Sequence, residues 1–245
     1  MHKTKQVTAG NYSICKPARK YLLTTAVGLA LSIFLSASGA FASLISAFPS
    51  WEVASEFNDF INPDTMNPSG VWSYGWKPTT FGNFSLLSFQ YTLGANDGSG
   101  WTFDTGYPIV AHNVHAVTLL GSGPQATLPP HALFLHPGPA GELAVVRFTA
   151  PAKGTYRVSG QFYAMDRNGT GTITDVYIVK NNTSPAIYSG NVNYYATPNM
   201  KFASFTSIAV TLNMGEYIEF QVGFGTDLNY SFDTTGLNAV IEKIR

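Results

Sequence analysis

Cysteine is nearly absent from this chain of 245 residues, since Cys15 is the only one. It precedes an apolar segment near the amino terminus, and we expect it to be removed with a leader peptide. The mature protein would then have no disulfide bond and no thiol chemistry. Export without disulfide bonds favours a bacterial envelope or extracellular protein over a small secreted animal module.

Charged residues are also scarce, at 11% of the chain, with 14 basic and 14 acidic side chains. All of the acidic residues lie at Glu52 or later, whereas five of the basic ones lie in residues 1–42. Without that segment the chain has nine basic residues, a net charge of −5, and no basic run. Nucleic acid and anionic membrane surfaces are therefore excluded as expected partners, because both are bound mainly through Lys and Arg.

Catalytic motifs are missing as well. The sequence contains no Gly-x-Ser-x-Gly, no His-Glu-x-x-His and no catalytic thiol. Four histidines fall between His112 and His136, but His112 and His115 are three residues apart, so on one strand they would point to opposite faces. We therefore expect ordinary hydrogen-bonded histidines, no transition-metal site and no enzymatic activity.

The segment 166–172 imitates the start of a calcium-binding loop. Oxygen donors recur at alternate positions from Asp166, with a glycine at the sixth position. The twelfth position is Tyr177, where a calcium loop has a bidentate glutamate. A hairpin turn is the favoured interpretation, with a structural calcium ion as the alternative, and no cofactor is expected otherwise.

Residues 1–42 have the three parts of an export signal. Basic residues lie between Lys3 and Lys20, an uncharged apolar stretch runs from Tyr21 to Leu35, and the segment closes on Ala40-Phe41-Ala42. We expect cleavage before Ser43 and a mature protein that is secreted, periplasmic or on the cell surface. An uncleaved anchor is the alternative, although the apolar core is short for a membrane span, and no stable span is expected after leader removal.

Hydrophobic alternation with a period of two dominates from Gly70 onward. In the segment 155–165, Tyr156, Val158 and Phe162 share one face with Gly160 and Ala164, which predicts a strand with one buried face. Similar patterns predict seven further strands, with the last two of them less clearly patterned. They cover residues 145–149, 171–180, 208–212, 218–224, 237–244, and then 84–93 and 131–136.

Many short strands without intervening helices predict an all-β fold, an antiparallel two-sheet β-sandwich or jelly roll. The inward phase predicts burial of Tyr156, Val158, Phe162 and also of Ile218, Phe220 and Val222. Segment 43–69 is expected to be a lead-in in which 52–61 forms a short helix, and 70–245 is expected to be one sandwich domain.

Several blocks resemble secreted bacterial β-sandwich modules related to galactose-binding-like and carbohydrate-binding domains, which often occur in proteins with a Pro-Glu-Pro sorting tail. No Pro-Glu-Pro motif occurs in the 245 residues, so the sorting fate of those proteins is not carried over to this chain. The resemblance covers roughly residues 70–245 and implies a sandwich fold, with glycan binding as an associated tendency. The blocks are Trp72-Ser73-Tyr74-Gly75-Trp76, His136-Pro137-Gly138-Pro139, Val146-Arg147-Phe148-Thr149-Ala150-Pro151, Gly154-Thr155-Tyr156-Arg157-Val158-Ser159-Gly160, Thr174-Asp175-Val176 and Asp233-Thr234-Thr235-Gly236-Leu237.

Aromatic residues in Gly-, Asn- and Pro-rich segments are the candidate ligand contacts. Sugar rings stack on flat aromatic rings, while carboxylates accept hydrogen bonds from hydroxyl groups. The candidate residues are Trp76, Trp101, Tyr195, Tyr230, Asp175 and Asp233. By contrast, Trp72 and Tyr156 are assigned to the core, and Asp175 is expected to pair with Arg147 in a structural bridge.

The leading hypothesis is thus an exported, non-catalytic module that binds polysaccharide or cell-surface glycan. A structural or adhesive envelope module without a small ligand is the alternative, and a jelly-roll enzyme acting on glycans is the third. A concave face with exposed rings beside Asp or Arg would favour binding, and two carboxylates in one cleft would favour the enzyme. The sequence leaves the oligomeric state open.

Overall fold

The computed structural model describes residues 48–57, 67–92, 99–104, 106–120, 126–167, 169, 171–196 and 199–245. The predicted leader and the proposed cleavage site lie outside these residues, so both remain predictions. Residues Ser46–Arg245 form one compact unit.

The described residues contain β-strands and no helix. In the same ranges, no segment is helical, long and apolar enough to cross a bilayer. The strands are β1 (Ser50–Glu52), β2 (Trp72–Lys77), β3 (Ser85–Leu86), β4 (Phe89–Thr92), β5 (Ser99–Thr102), β6 (Ile109–His112), β7 (Leu119–Leu120), β8 (Thr127–Leu128), β9 (Leu133–His136), β10 (Leu143–Thr149), β11 (Gly154–Ala164), β12 (Ile173–Lys180), β13 (Tyr188–Asn193), β14 (Phe202–Leu212), β15 (Tyr217–Val222) and β16 (Thr235–Lys243).

Two antiparallel sheets form a β-sandwich. The first sheet has the order β14-β11-β16-β9-β6-β5-β4, and β1 pairs with β16 as well. The second sheet has the order β13-β12-β15-β10-β2-β3, while β7 and β8 form a small ribbon. The predicted all-β fold with two antiparallel sheets is confirmed.

The main core lies between the two sheets. Phe162 of the first sheet and Phe220 of the second have ring centroids 6.4 Å apart, and Phe205 lies 5.9 Å from Phe220. All six side chains that the alternation assigned to the interior are fully buried. Trp72 also belongs to this core, as predicted. Strand alternation therefore identified the buried faces correctly.

Two details of the predicted secondary structure are wrong. The expected helix at 52–61 begins as strand β1 and continues as turns through Phe57, and residues 58–61 lie outside the described part. The strand displaces the helix because Glu52 pairs with Val240 and Val53 N donates to Ala239 O at 3.1 Å. The expected strand at 84–93 is interrupted between β3 and β4, which join different sheets.

A buried charge cluster occupies the outer face of the second sheet. Glu219 bonds to Lys77 Nζ through Oε2 at 2.8 Å and to Arg147 through Oε1 at 2.6 Å. The Arg147 guanidinium lies between two rings, 3.8 Å from the centroid of Phe84 and 3.9 Å from that of Tyr217. Burial lowers the pKa of Lys77, while Glu219 opposes that shift.

The expected bridge between Arg147 and Asp175 is wrong. Arg147 lies opposite Glu219 in the register of β10 and β15, so the nearer carboxylate binds it. Asp175 instead accepts hydrogen bonds from Tyr177 Oη at 2.8 Å and from Gly225 N at 2.9 Å. The order of the strands in the sheet determines that Arg147 pairs with Glu219, and no local sequence pattern predicts this ion pair.

Candidate functional site

The first sheet buries side chains on both of its faces. In β9, Leu133 and Leu135 point into the main core, whereas Phe134 belongs to a second apolar cluster on the outer face. This arrangement follows from the alternation of side chains along a strand. The segment between β6 and β9 covers part of the outer face with Leu128 and Ala132.

A cleft of about 240 Å³ opens beside the second apolar cluster. Strands β4, β6 and β9 supply part of its lining, and the rest comes from Ala126, from Leu128 of β8 and from the segments before β6, after β11 and before β16. Ligand pockets typically combine apolar and aromatic walls with a few polar groups, and this cleft does so. Its described lining is Tyr91, Tyr107, Ile109, Ala126, Leu128, Phe134, His136, Asp166, Tyr230, Ser231, Phe232 and Thr234.

Three rings in this lining contact one another. The centroid of Tyr107 lies 4.7 Å from that of His136 and 5.3 Å from that of Tyr230. Tyr230 and His136 meet edge to face at 6.0 Å. Burial, with smaller effects from Tyr230 and Asp166, raises the pKa of Tyr107. Its phenol therefore stays protonated at neutral pH.

His136 presents an acceptor to the cleft. Its Nδ1 lies 3.0 Å from Pro137 O, and because a carbonyl only accepts, Nδ1 carries the proton in this bond. The other nitrogen, Nε2, makes no hydrogen bond to the residues that the structure describes. Burial lowers the pKa of His136, which favours the neutral ring. Nε2 is thus a hydrogen-bond acceptor in the cleft wall.

Asp166 adds a carboxylate to the same cleft. Its Oδ2 accepts a hydrogen bond from Thr234 N at 2.9 Å, which fixes the side chain between two wall segments. Its own N–H donates to Thr172 Oγ1 at 3.1 Å. Only 5% of the residue is exposed, and within the described ranges Oδ1 accepts no hydrogen bond. This oxygen is therefore available to a ligand.

Asp233 lies behind the cleft wall and is 1% exposed. Its Oδ1 accepts a hydrogen bond from Ile173 N at 2.9 Å, while its Oδ2 is buried without a partner. Burial raises the pKa of Asp233 to about 8, and the nearby carboxylates of Asp227, Asp166 and Asp175 add to the shift. The folded protein therefore holds a proton here at neutral pH.

We expect the Asp233→Asn variant to remove a pH-dependent loss of stability. The ordinary pKa is 3.8 and the folded value is about 8, so the folded state keeps a proton that the unfolded chain has released. This stabilisation is complete below about pH 4 and is lost as the pH rises towards about 8. Urea denaturation at several pH values should show wild-type stability falling relative to Asp233→Asn. Parallel curves would contradict the assignment, and Asp104→Asn, at an exposed site, is the control.

The structure distributes the predicted ligand contacts over several places. Tyr230 lines the cleft, and Asp233 lies next to a lining residue, Thr234. Tyr195 is 58% exposed elsewhere, and its hydroxyl donates to Arg167 O. Trp76 is half-buried against Phe103, at 5.0 Å between ring centroids.

The expectation of a solvent-exposed ring is wrong for Trp101. It is 5% exposed and belongs to the main core, because its neighbours Gly100 and Thr102 take the outward phase of β5. Asp175 lies on the second sheet, where it holds the Tyr177 hydroxyl and Gly225 N. Neither residue lines the cleft.

Two cleft residues, His136 and Asp166, were not among the predicted contacts. Each carries a signal in the sequence: His136 opens the block His136-Pro137-Gly138-Pro139, and Asp166 begins a Gly-rich turn in a chain with few charges. Within the described ranges, no group of three or more His, Cys, Asp or Glu residues converges as a metal site. His112 Nε2 instead bonds to His131 O at 2.8 Å.

Comparisons with solved structures return distant β-sandwich proteins, among them carbohydrate-binding modules. A family 35 carbohydrate-binding module from Clostridium thermocellum has 14% identity over 62% of this chain and 89% of its own, with a TM-score of 0.27. A carbohydrate-binding module of Cellvibrio mixtus lichenase 5A, solved with cellotriose, has 14% identity over 65% and 92%, with a TM-score of 0.23.

A Podospora anserina β-(1,4)-mannanase carrying a CBM35 module has 11% identity over 64% of this chain, with a TM-score of 0.28. The match covers 28% of that chain. No family model and no curated protein matches this sequence.

Proposed function

We propose that this protein is an exported, non-catalytic β-sandwich module that binds polysaccharide or cell-surface glycan in the cleft around Tyr230. The observation that carries the proposal is the cluster of Tyr107, His136 and Tyr230 in the same cleft as Asp166, whose Oδ1 accepts no hydrogen bond from the described residues. Aromatic faces stack on the C–H faces of sugars, and the nearby acceptors bind hydroxyl groups. The cleft thus combines both kinds of contact that a sugar needs.

We also propose that the cleft is not catalytic, for a chemical reason. Glycosidases use two carboxyl groups on either side of the scissile bond. Among the described residues that line the cleft, Asp166 is the only carboxylate. A single carboxylate supports binding and leaves the acid–base pair incomplete.

We expect weak binding that depends on Tyr230. Ring contacts contribute on the order of 1 kcal/mol each beyond area burial, so a dissociation constant in the micromolar to millimolar range is expected. Binding is measured as retention of the purified protein on a panel of insoluble polysaccharides. Tyr230→Ala should reduce retention on any polysaccharide that binds wild type, with unchanged thermal unfolding, because Tyr230 is half-buried at a cleft wall.

Tyr195→Ala is the matched control, because Tyr195 is an exposed aromatic residue outside the cleft lining. It should retain wild-type binding. If Tyr195→Ala loses retention and Tyr230→Ala does not, the binding surface lies elsewhere. If wild type passes unretained over the whole panel, the glycan proposal is wrong.

A structural or adhesive module is the second candidate, and the edges of the first sheet favour it. Phe89 in edge strand β4 is 51% exposed, and Phe202 in edge strand β14 is 55% exposed. Exposed apolar edge strands favour pairing with other chains. This candidate would be established instead if the wild-type protein bound no polysaccharide but self-associated, and if the Phe202→Lys variant no longer self-associated.

A further inference from the structure

The cleft differs from a general sugar site in the sign of its charge. Asp166 brings a carboxylate that is 95% removed from solvent, since the residue is 5% exposed. Within the described lining there is no Lys and no Arg. The nearest guanidinium in the sequence, that of Arg167, donates to Thr127 Oγ1 at 2.8 Å. The negative charge inside the cleft is therefore not neutralised by an ion pair there.

The fixed polar groups of the cleft are acceptors. Asp166 Oδ1 accepts no hydrogen bond in the described part of the chain, and its partner oxygen is held by Thr234 N. His136 Nε2 is an acceptor because Nδ1 donates to Pro137 O. The remaining polar side chains, such as Ser231, are hydroxyls that can donate or accept. A ligand must consequently bring donors to Asp166 and His136.

The aromatic walls favour the same kind of ligand. The faces of tyrosine rings carry partial negative charge and attract cations, with the interaction strengthened where water is excluded. Tyr107 and Tyr230 line the same cleft as Asp166. An ammonium group on a sugar would supply three donors and a positive charge, which a hydroxyl group in the same position does not.

We propose that the cleft recognises amino sugars: a protonated amino group is preferred over a hydroxyl group at the position facing Asp166 and His136, and anionic sugars are excluded. This inference rests on the proposed function, because it specifies the ligand of the same cleft. A carboxylate or sulfate on the ligand would meet Asp166 Oδ1 without an intervening cation. Burial of two like charges in a poorly solvated site is strongly unfavourable.

The test compares sugars that share one pyranose scaffold and carry a cationic, a neutral or an anionic substituent. Ligand-observed NMR titrations of the full exported protein would use D-glucosamine, D-glucose and D-glucuronic acid, together with the corresponding galactose series. Charge-assisted hydrogen bonds are roughly twice as strong as neutral ones, so we expect about tenfold tighter binding of the amino sugar than of its neutral counterpart. Binding of the uronic acid should be at least about tenfold weaker than that of the neutral sugar.

The Asp166→Asn variant provides the decisive comparison. The amide oxygen of Asn can still accept from Thr234 N, which leaves an NH₂ group facing the cleft in place of Oδ1. The variant should lose the preference for amino sugars and bind the uronic acid at least as well as the neutral sugar. Asp175→Asn, outside the cleft lining, is the matched control and should keep the wild-type order.

The outcomes separate the two proposals. Retention on polysaccharide with equal binding of the amino and uronic sugars would overturn the charge preference and leave glycan binding intact. An unchanged preference in Asp166→Asn, with native unfolding behaviour, would also overturn it. If neither sugars nor polysaccharides bind wild type, both proposals are wrong.

Discussion

Replacing Glu219 with alanine is expected to lower the free energy of unfolding by about 3–5 kcal/mol. The Glu219 side chain is fully buried and binds both Lys77 and Arg147. Lys77 is also fully buried, so the substitution would leave its ammonium without its carboxylate partner. Removing one member of a buried ion pair costs more than the pair itself contributes, because the remaining charge is not solvated. Urea denaturation measures the change.

An exposed pair in the same fold supplies the control. Arg157 and Glu242 also form a salt bridge, at 2.6 Å, but their side chains are 44% and 39% exposed. Glu242→Ala should therefore cost no more than about 1 kcal/mol. The double change Lys77→Met with Glu219→Leu should recover much of the loss, since it removes both buried charges of that pair. A loss below about 1 kcal/mol in Glu219→Ala would show that water reaches Lys77.

Phe220→Ala is expected to destabilise the protein by about 3–5 kcal/mol, as truncation of an aromatic side chain in a packed core does. Phe220 is fully buried on β15 and contacts Phe162 and Phe205 of the opposite sheet. Its loss would open a cavity at the contact between the two sheets. Chemical denaturation of both proteins under the same conditions measures the difference.

Phe202→Ala is the matched control for Phe220→Ala. Phe202 lies on edge strand β14 and is 55% exposed, so its removal creates no internal cavity. Its effect should stay within about 1 kcal/mol. Similar losses in the two variants would contradict the assignment of Phe220 to the interface between the sheets.

Local alternation determined which side chains share a face of each strand. Tyr156, Val158 and Phe162 repeat with the period of a strand, and all three are buried. The same logic was insufficient for Trp101, because alternation says that Gly100 and Thr102 face together but does not say which face is covered. The pairing of β5 with β4 and β6 placed Trp101 in the core.

The cleft depended on tertiary structure to a greater degree. Tyr91, His136, Asp166 and Tyr230 lie far apart in the chain and meet only after the strands pair. The sequence suggested Tyr230 because its segment is rich in Gly and Asn. No pattern in the sequence predicted that the Tyr230 ring lies beside His136.

The sequence by itself determined the all-β architecture, the antiparallel two-sheet sandwich and the inward phase of its strongly alternating strands. These properties are local, because the period of two and the turn residues act within a few residues of each other. Only the tertiary structure decided that Glu219 binds Arg147 and that Asp166 joins the cleft. Both facts follow from strand order and register, which bring distant side chains together and which no local pattern encodes.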